Sequence, residues 1–532
     1  MRETLNLNKE RIEVPTDYSK LIQTITICAP TQKLEMDIDV TNTATLPAII
    51  ESALMLVAQI EEVSPTELAG FFGLNNHERD VLVNDMIETD LVKFRDDGDL
   101  VSTPRLLAQR REGNGISIEE VKNFSVHCFI DQITGYIQPR SESNSSNGMP
   151  LMKRSFSTKD YSQLLSTQFG RFKETFHANK ETQELKRPQA RLYRVNRAST
   201  VHSGQPLALT LAVNAVHDPL TGIKLQPELS GFTDENKVLV TKSGLVSEAI
   251  KWLNGRTLDK PSSSIQDYCD TFNDPVIARY IKGDRICGTE YIDLPRLLHD
   301  RQFHRTGYKN KDTHMMIGPV YAPGSQNRDK LLSWAKYHAK NKPMHQGLWL
   351  VADNNLFGAS VAFETFMKDM NHELSVGDRN SSLNLLYKMT DGNDDWERRR
   401  DIQNGFNNRC HGKLMSYEFG IQDSNVEIMV FPGNNGCALV QYHAPLHSNL
   451  ELAGMTVPIG YFTTDPERVN FLWTHVRQRI SSKVTRFNDD KAIIESINKQ
   501  LECDISQLDE LLVDKSAEKL ELLLSKFGRQ TS

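Results

Sequence analysis

Arg409-Cys410-His411-Gly412-Lys413-Leu414-Met415-Ser416-Tyr417-Glu418 is the stretch on which the reading of this chain turns. It contains His-x-Lys, then four residues, then an acid. Side chains alternate between faces along a strand, so residues two apart point the same way. On a strand, His411 and Lys413 stand side by side on one surface. A titratable nitrogen nucleophile beside a fixed positive charge is the pairing that phosphodiester cleavage needs, and it calls for no metal and no cofactor. Cys410 then faces the other way and reads as a buried structural thiol.

The flanks supply a fold. Residues 311–486 read as one α/β unit. Met315 to Tyr321 is a short apolar strand, 327–341 a helix, Gly347 to Ala352 the next strand, and 355–370 a second helix. The His411 strand follows. Val426-Glu427-Ile428-Met429-Val430-Phe431 comes next and ends in Pro432-Gly433-Asn434-Asn435-Gly436. Strands alternating with helices predict a parallel or mixed sheet covered by helices.

In this order the elements resemble half of a phospholipase D superfamily catalytic domain. That family carries His-x-Lys, four residues and Asp, then a strand ending in a Gly-Ser-x-Asn turn, and often a later Asn-x-Glu. Here His411 and Lys413 match, and Glu418 takes the acid position. Gly433-Asn434-Asn435-Gly436 sits where the glycine turn belongs, and Ser448-Asn449-Leu450-Glu451 matches the late element. The chain departs from the pattern in three places. Glutamate stands for aspartate, the turn lacks the serine and final asparagine, and the spacing from Glu418 to Gly433 is long. Asn434, Asn435 and Asn449 then serve as the polar supports.

The resemblance implies a mechanism. One neutral His411 attacks phosphorus, a second protonated His411 supplies the leaving group's proton, and Lys413 holds the non-bridging oxygens. Histidine suits both roles because its unperturbed pKa is about 6.5. The family's chemistry wants two His-x-Lys sets. His338-Ala339-Lys340 has the letters but lies in a helical pattern, where residues two apart do not face each other. A single motif therefore implies a homodimer sharing one site. The substrates of such a family are nucleic acid and phospholipid. Trp396-Glu397-Arg398-Arg399-Arg400 and Arg409 read either as a phosphate path or as a solvated helix face.

The rest of the chain bounds these expectations. Its 532 residues suit several domains. A net charge of -7 excludes nucleic-acid binding through bulk charge, so any such site is a local basic groove. The seven cysteines are scattered and never form C-x-x-C, which argues against a disulfide framework or zinc ribbon and for a reducing cytoplasm. No stretch is apolar enough for a signal peptide or a membrane span.

Residues 1–42 form an N-terminal segment with a strand at Leu21 to Cys28. Residues 43–105 read as three helices and a hairpin, with a capping box at Ser64-Pro65-Thr66-Glu67 and an Asp97-Gly98 turn. That pattern resembles a winged helix. Its third helix and wing carry Asp80, Asp85, Glu88, Asp96, Asp97 and Asp99, which suit a partner protein better than phosphate. Residues 106–153 are a connector ending in a Ser/Asn-rich linker. Residues 154–310 form a mixed middle region of no assigned chemistry, helical to 185 and strand-like from 190 to 245. Residues 487–532 read as two amphipathic helices.

The expected fold class is α/β, a phospholipase D-like mixed sheet with an N-terminal winged-helix module and a mixed middle region. The expected function is a metal-independent nuclease, DNA before RNA. An accessory module joined to a single-motif nuclease resembles bacterial restriction or antiphage proteins. Two alternatives stand beside it: a non-catalytic DNA- or partner-binding subunit with the same fold, and a phospholipid-cleaving effector.

Overall fold

In the computed structural model the chain is mixed α/β and divides into two compact units. The structure describes residues 19–60, 62–112, 116–139, 148–156, 161–178, 185–186, 190–218, 222–256, 263–341, 346–352, 356–377, 381–389, 405–406, 409–411, 414–418, 425–433, 435–447, 452 and 454–481. The C-terminal helices expected over 487–532, the basic run 396–400 and most of the Ser/Asn-rich linker lie outside the described residues.

β1 (Ser19–Ala29) belongs to the larger unit, and β2 (Thr31–Thr45) opens the smaller one, residues 31–140 and 156–204. Next come α1 (Ala48–Ile60), β3 (Glu62–Val63), α2 (Pro65–Phe72), α3 (Asn76–Glu88), β4 (Val92–Phe94), β5 (Leu100–Ser102) and α4 (Pro104–Glu112). Both α2 and α3 start as their residues dictate. Ser64 and Glu67 form a reciprocal capping box, Asn75 and Glu78 form another, and Gly73 closes α2 with φ +67. The three short strands form a sheet in the order β3-β5-β4.

β6 (Ser117–Asp131), β7 (Ile137–Gln138), α5 (Tyr161–Thr167), α6 (Phe169–Ala178) and β8 (Arg191–Ser203) complete the unit. They build a second sheet, β7-β6-β2-β8. Leu34, Met36, Ile38 and Val40 alternate along β2 and pack under Phe172 and Phe176 of α6.

The larger unit holds residues 1–30, 141–155 and 205–532. The middle region 154–310 is thus shared between units rather than standing alone, and β8 within it pairs with β2. β9 (Leu207–Asp218) and β10 (Gly222–Ser230) join β1 in a three-stranded sheet. α7 (Asp234–Lys242), α8 (Leu245–Asn254) and α9 (Ile265–Thr271) follow. Lys237 to Val240, expected as strand, lies inside α7. The Thr233 side chain accepts from Asn236 N, and Asp234 and Glu235 favour the positive end of the helix dipole.

β11 (Ile281–Lys282) pairs with β12 (Tyr291–Ile292), and α10 (Leu294–Gln302) leads into the main sheet. That sheet is built from β13 (Thr313–Ile317), β14 (Gly347–Leu350), β15 (Leu383–Met389), β16 (Leu414–Glu418), β17 (Val426–Phe431), β18 (Cys437–Pro445) and β19 (Thr456–Thr463). α11 (Gln326–Asn341), α12 (Val361–Gly377) and α13 (Pro466–Ser481) accompany it.

The strand order is β13-β19-β18-β17-β14-β15-β16. β14, β15 and β16 are mutually parallel, and the remaining neighbours are antiparallel. One face carries Met316, Trp349, Leu385, Met429 and Leu439 against Phe363, Phe366 and Met370 of α12 and Leu331 of α11. On the other, Tyr268 of α9 packs on Tyr442 and Tyr461 donates to the Phe272 carbonyl. Helices on both faces are what the near-continuous apolar strands required.

Candidate active site

β16 begins at Leu414, so His411 is not on a strand. It stands in a bend with φ +50, exposed, three residues before the strand. The alternation that placed His411 beside Lys413 therefore does not operate here. Lys413 lies outside the described residues.

What holds the bend is Arg409, which is only 3% exposed. Its Nε donates to Gly405 O at 2.6 Å, Nη2 to Gly148 O at 3.1 Å, and Nη1 to Gly358 O. The guanidinium also lies 5.1 Å from the Phe406 ring centroid. Burial pushes its pKa down to about 10, with Tyr321, Glu364 and Cys28 opposing the fall. Arg409 thus spends its donors on backbone carbonyls inside the protein. It lines no phosphate path and stands on no solvated helix face, which corrects both of its expected readings. Cys410 beside it is buried among the apolar residues of the α12 face, as expected.

Of the remaining expected site residues, Glu418 and Asn435 are described, and they lie apart on the sheet. Glu418 ends β16, so its Cα lies about 13 Å beyond Leu414 along the strand. β16 is not the neighbour of β17; β14 and β15 lie between them, three strand spacings or about 14 Å. Asn435 is exposed in the turn that joins β17 to β18. A Cβ on Gly436 would lie 2.2 Å from the Phe431 carbonyl oxygen, so the hairpin itself demands that glycine. Asn434 and Asn449 lie outside the described residues. The turn at Asn435 and the far end of β18 are separated by that strand's length, about 27 Å. Among the described residues, the backbone positions of His411, Glu418 and Asn435 do not converge on one point of the sheet. His338, by contrast, is helical in α11, as its surroundings predicted.

A different polar cluster is assembled at the sheet. Glu427 on β17 stands opposite Gln441 on β18, and His443 is two residues further along the same face. All three are buried. His443 Nε2 lies 3.6 Å from Glu427 Oε1, an ion-pair distance too long for a direct hydrogen bond. Trp349 Nε1 donates to Glu427 Oε2 at 3.2 Å, and Gln441 Nε2 donates to Gly318 O at 3.0 Å. The Phe357 ring, next to the Gly358 that Arg409 grips, lies 5.8 Å from His443. The neighbouring Tyr321 hydroxyl is held well above its ordinary pKa, by burial first and by the Glu427 charge second. The sequence carried a signal for this cluster. Glu427, Gln441 and His443 each interrupt an otherwise apolar strand, and a polar side chain there must find partners inside.

Among the described residues no group of three His, Cys, Asp or Glu side chains could hold a metal ion. No helix among them is long and apolar enough to cross a membrane.

No protein-family model and no curated protein matches the chain. A solved structure of TrmBL2, described as an archaeal chromatin protein that shows a novel mode of DNA binding, is similar at 10% identity. The match covers 45% of this chain and 83% of that one with a TM-score of 0.19, too low to carry an argument about fold or function.

Proposed function

We propose that the chain is a metal-independent phosphodiesterase that cuts nucleic acid with His411 as nucleophile, on a phospholipase D-like sheet. The observation that carries the reading is the exposed His411 in a left-handed bend, fixed by the buried Arg409 two residues before it. Non-glycine residues rarely adopt that backbone, and such outliers cluster where function needs a side chain held in place. Two copies would share the site. The imidazole nitrogen of one His411 bonds to phosphorus as the ester P–O bond breaks. The leaving oxygen takes a proton from His411 of the partner subunit. That second imidazole then removes a proton from water as it attacks the phosphohistidine, which restores both histidines. Lys413 of each copy would hold the non-bridging oxygens.

A specific observation favours a second reading for the N-terminal module. Read as a winged helix, α1 to α3 with the β4-β5 hairpin would offer α3 to DNA. Yet Asp80, Asp85 and Glu88 of α3 are exposed, and carboxylates on that helix repel phosphate. The module then docks a partner protein rather than DNA, and in the limiting case the whole chain is a binding subunit without catalysis.

One assay separates these readings. Supercoiled DNA, single-stranded DNA, RNA and phosphatidylcholine vesicles are incubated with the protein in EDTA, alongside His411→Ala. The nuclease reading expects cleavage of a nucleic acid that His411→Ala abolishes, with the oligomeric state unchanged in sedimentation. Strict dependence on magnesium, or equal cleavage by His411→Ala, would overturn it. Cleavage of lipid alone would move the substrate class.

A further inference from the structure

The middle region carries a basic surface that none of the above uses. Tyr280, buried between α9 and β11, donates from its hydroxyl to Asp300 Oδ2 at 2.9 Å. Two guanidinium groups lie over its ring, Arg279 at 5.7 Å and Arg296 at 5.6 Å from the centroid. A third, Arg305, is 3.9 Å from Asp300 Oδ1, and its carbonyl accepts from Arg279 Nη2 at 3.4 Å. Arg279 and Arg296 thus lie over the Tyr280 ring and Arg305 lies beside Asp300, the acceptor of that tyrosine's hydroxyl, while Asp293 caps α10 by accepting from Arg296 N. Arg279, Arg296 and Arg305 are all exposed, so their outward N–H donors face solvent. The patch keeps a surplus of positive charge on a chain whose net charge is -7.

Arg296 belongs to a second feature as well. Together with Pro295, Leu298 and Gln302 of α10 and Ile223 of β10, it lines a cleft of about 270 Å³. His217, Gly222 and His299 complete the lining, and the walls are largely apolar. The volume is just under the usual range for small-molecule pockets and suits one ring system with its sugar. An apolar slot whose edge continues into a cluster of arginines matches a ligand with a flat apolar body and a compact anion. Arginine's planar fork is suited to phosphate, and a solvent-facing cluster of three can hold more than one of its oxygens.

We propose that this surface binds a nucleotide unit, with its phosphate on Arg279, Arg296 and Arg305 and its base and sugar in the cleft between α10 and the β9-β10 hairpin. The unit could come from a free mononucleotide or from the end of a nucleic-acid strand, since both offer the same chemistry. The site does not depend on hydrolysis at His411.

The test is equilibrium binding to the full chain, on wild type and on His411→Ala so that binding is read apart from cleavage. The probes are AMP, adenosine, inorganic phosphate and a single-stranded oligonucleotide. AMP is expected to bind more tightly than adenosine or phosphate. Arg296→Ala and Arg305→Ala should each weaken AMP about tenfold, the loss typical of one charge-assisted contact. Gln302→Trp, which fills the cleft from a half-buried position, should weaken AMP while sparing inorganic phosphate. An oligonucleotide that competes with AMP and binds more tightly identifies a strand end as the source; AMP binding without competition identifies a free nucleotide. No AMP binding at millimolar concentration, or AMP binding unchanged in all three variants, overturns the proposal. So does inorganic phosphate binding as tightly as AMP.

Discussion

Nη2 of Arg409 donates to the carbonyl of Gly148, 3.1 Å away although the two residues are 261 positions apart in the chain. The same side chain grips Gly358 and Gly405, so one guanidinium ties three segments together directly before His411. The backbone has been shaped to allow it. A Cβ on Gly148 would lie 2.5 Å from Gly405 Cα, and Gly148 has φ +71.

Arg409→Ala should therefore be among the most damaging substitutions in the larger unit. It removes three hydrogen bonds of a charged donor. The one to Gly358, whose carbonyl keeps the Ser360 amide as a second donor, is buried, and those to Gly405 and Gly148 are partly buried. Each such bond contributes about 1–3 kcal/mol. We expect a loss of about 3 kcal/mol or more, read from the urea midpoint of unfolding. Arg409→Lys should recover little of it, because an ammonium cannot reproduce the fork that reaches three carbonyls. An unchanged midpoint in Arg409→Ala would remove the anchor role.

At His411 stability and activity should move in opposite directions. Its φ of +50 is a conformation that costs a non-glycine residue about 1 kcal/mol. The exposed side chain returns little through packing. His411→Gly is expected to match or exceed wild type in thermal stability while losing hydrolysis altogether. Residual cleavage in His411→Gly would mean that the imidazole is not the nucleophile. A fall in stability would mean that the bend is held by side-chain contacts rather than endured.

The N-terminal helices could be read from sequence because their signals are local. Ser64 with Glu67 and Asn75 with Glu78 satisfy backbone donors within a single turn, whatever the rest of the chain does. The reading of Lys237 to Val240 as strand fails for the complementary reason: a run of apolar residues is ambiguous, and the cap that decides it, Thr233, lies upstream of the run. The site was harder still. His411 leaves the strand because Arg409 is pinned to Gly148 and Gly358, contacts that span much of the chain. Likewise, successive strands such as β16 and β17 usually pair, yet two parallel strands, β14 and β15, intervene here. Glu427 and His443 were visible as polar interruptions, but their meeting depends on the register of β17 against β18.

Asp274 should make the larger unit lose stability as pH rises. Its carboxylate is buried, and burial raises its pKa in spite of hydrogen bonds from Tyr268, Tyr308 and the Ile277 and Val276 amides. A folded-state pKa above the unfolded value, about 3.9, makes the protonated form the better tenant of the fold. Its contribution is therefore fully present below pH 4 and declines as pH climbs through the raised value. Asp274→Asn keeps the oxygen that accepts from both amides and Tyr308, and Tyr268 can turn its hydroxyl to Val440 O, 3.4 Å away. The difference in unfolding free energy between variant and wild type should move in favour of the variant from pH 4 to pH 7. A difference independent of pH would show that the carboxyl titrates alike in both states.

Trp349 is fully buried, and its indole N–H donates to Glu427 Oε2 at 3.2 Å, while Glu427 Oε1 faces His443. Trp349→Phe removes the donor and part of the ring from a core that also holds Phe357, Phe363 and Phe366. Its cost combines lost packing with an under-satisfied carboxylate, about 3 kcal/mol together. A double-mutant cycle separates the two contributions. In a Glu427→Leu background the indole N–H is already orphaned, so Trp349→Phe there removes an unpaired donor and should cost distinctly less. We expect a coupling of about 1–2 kcal/mol from urea unfolding of the four proteins. Additive effects would mean that the 3.2 Å contact contributes nothing.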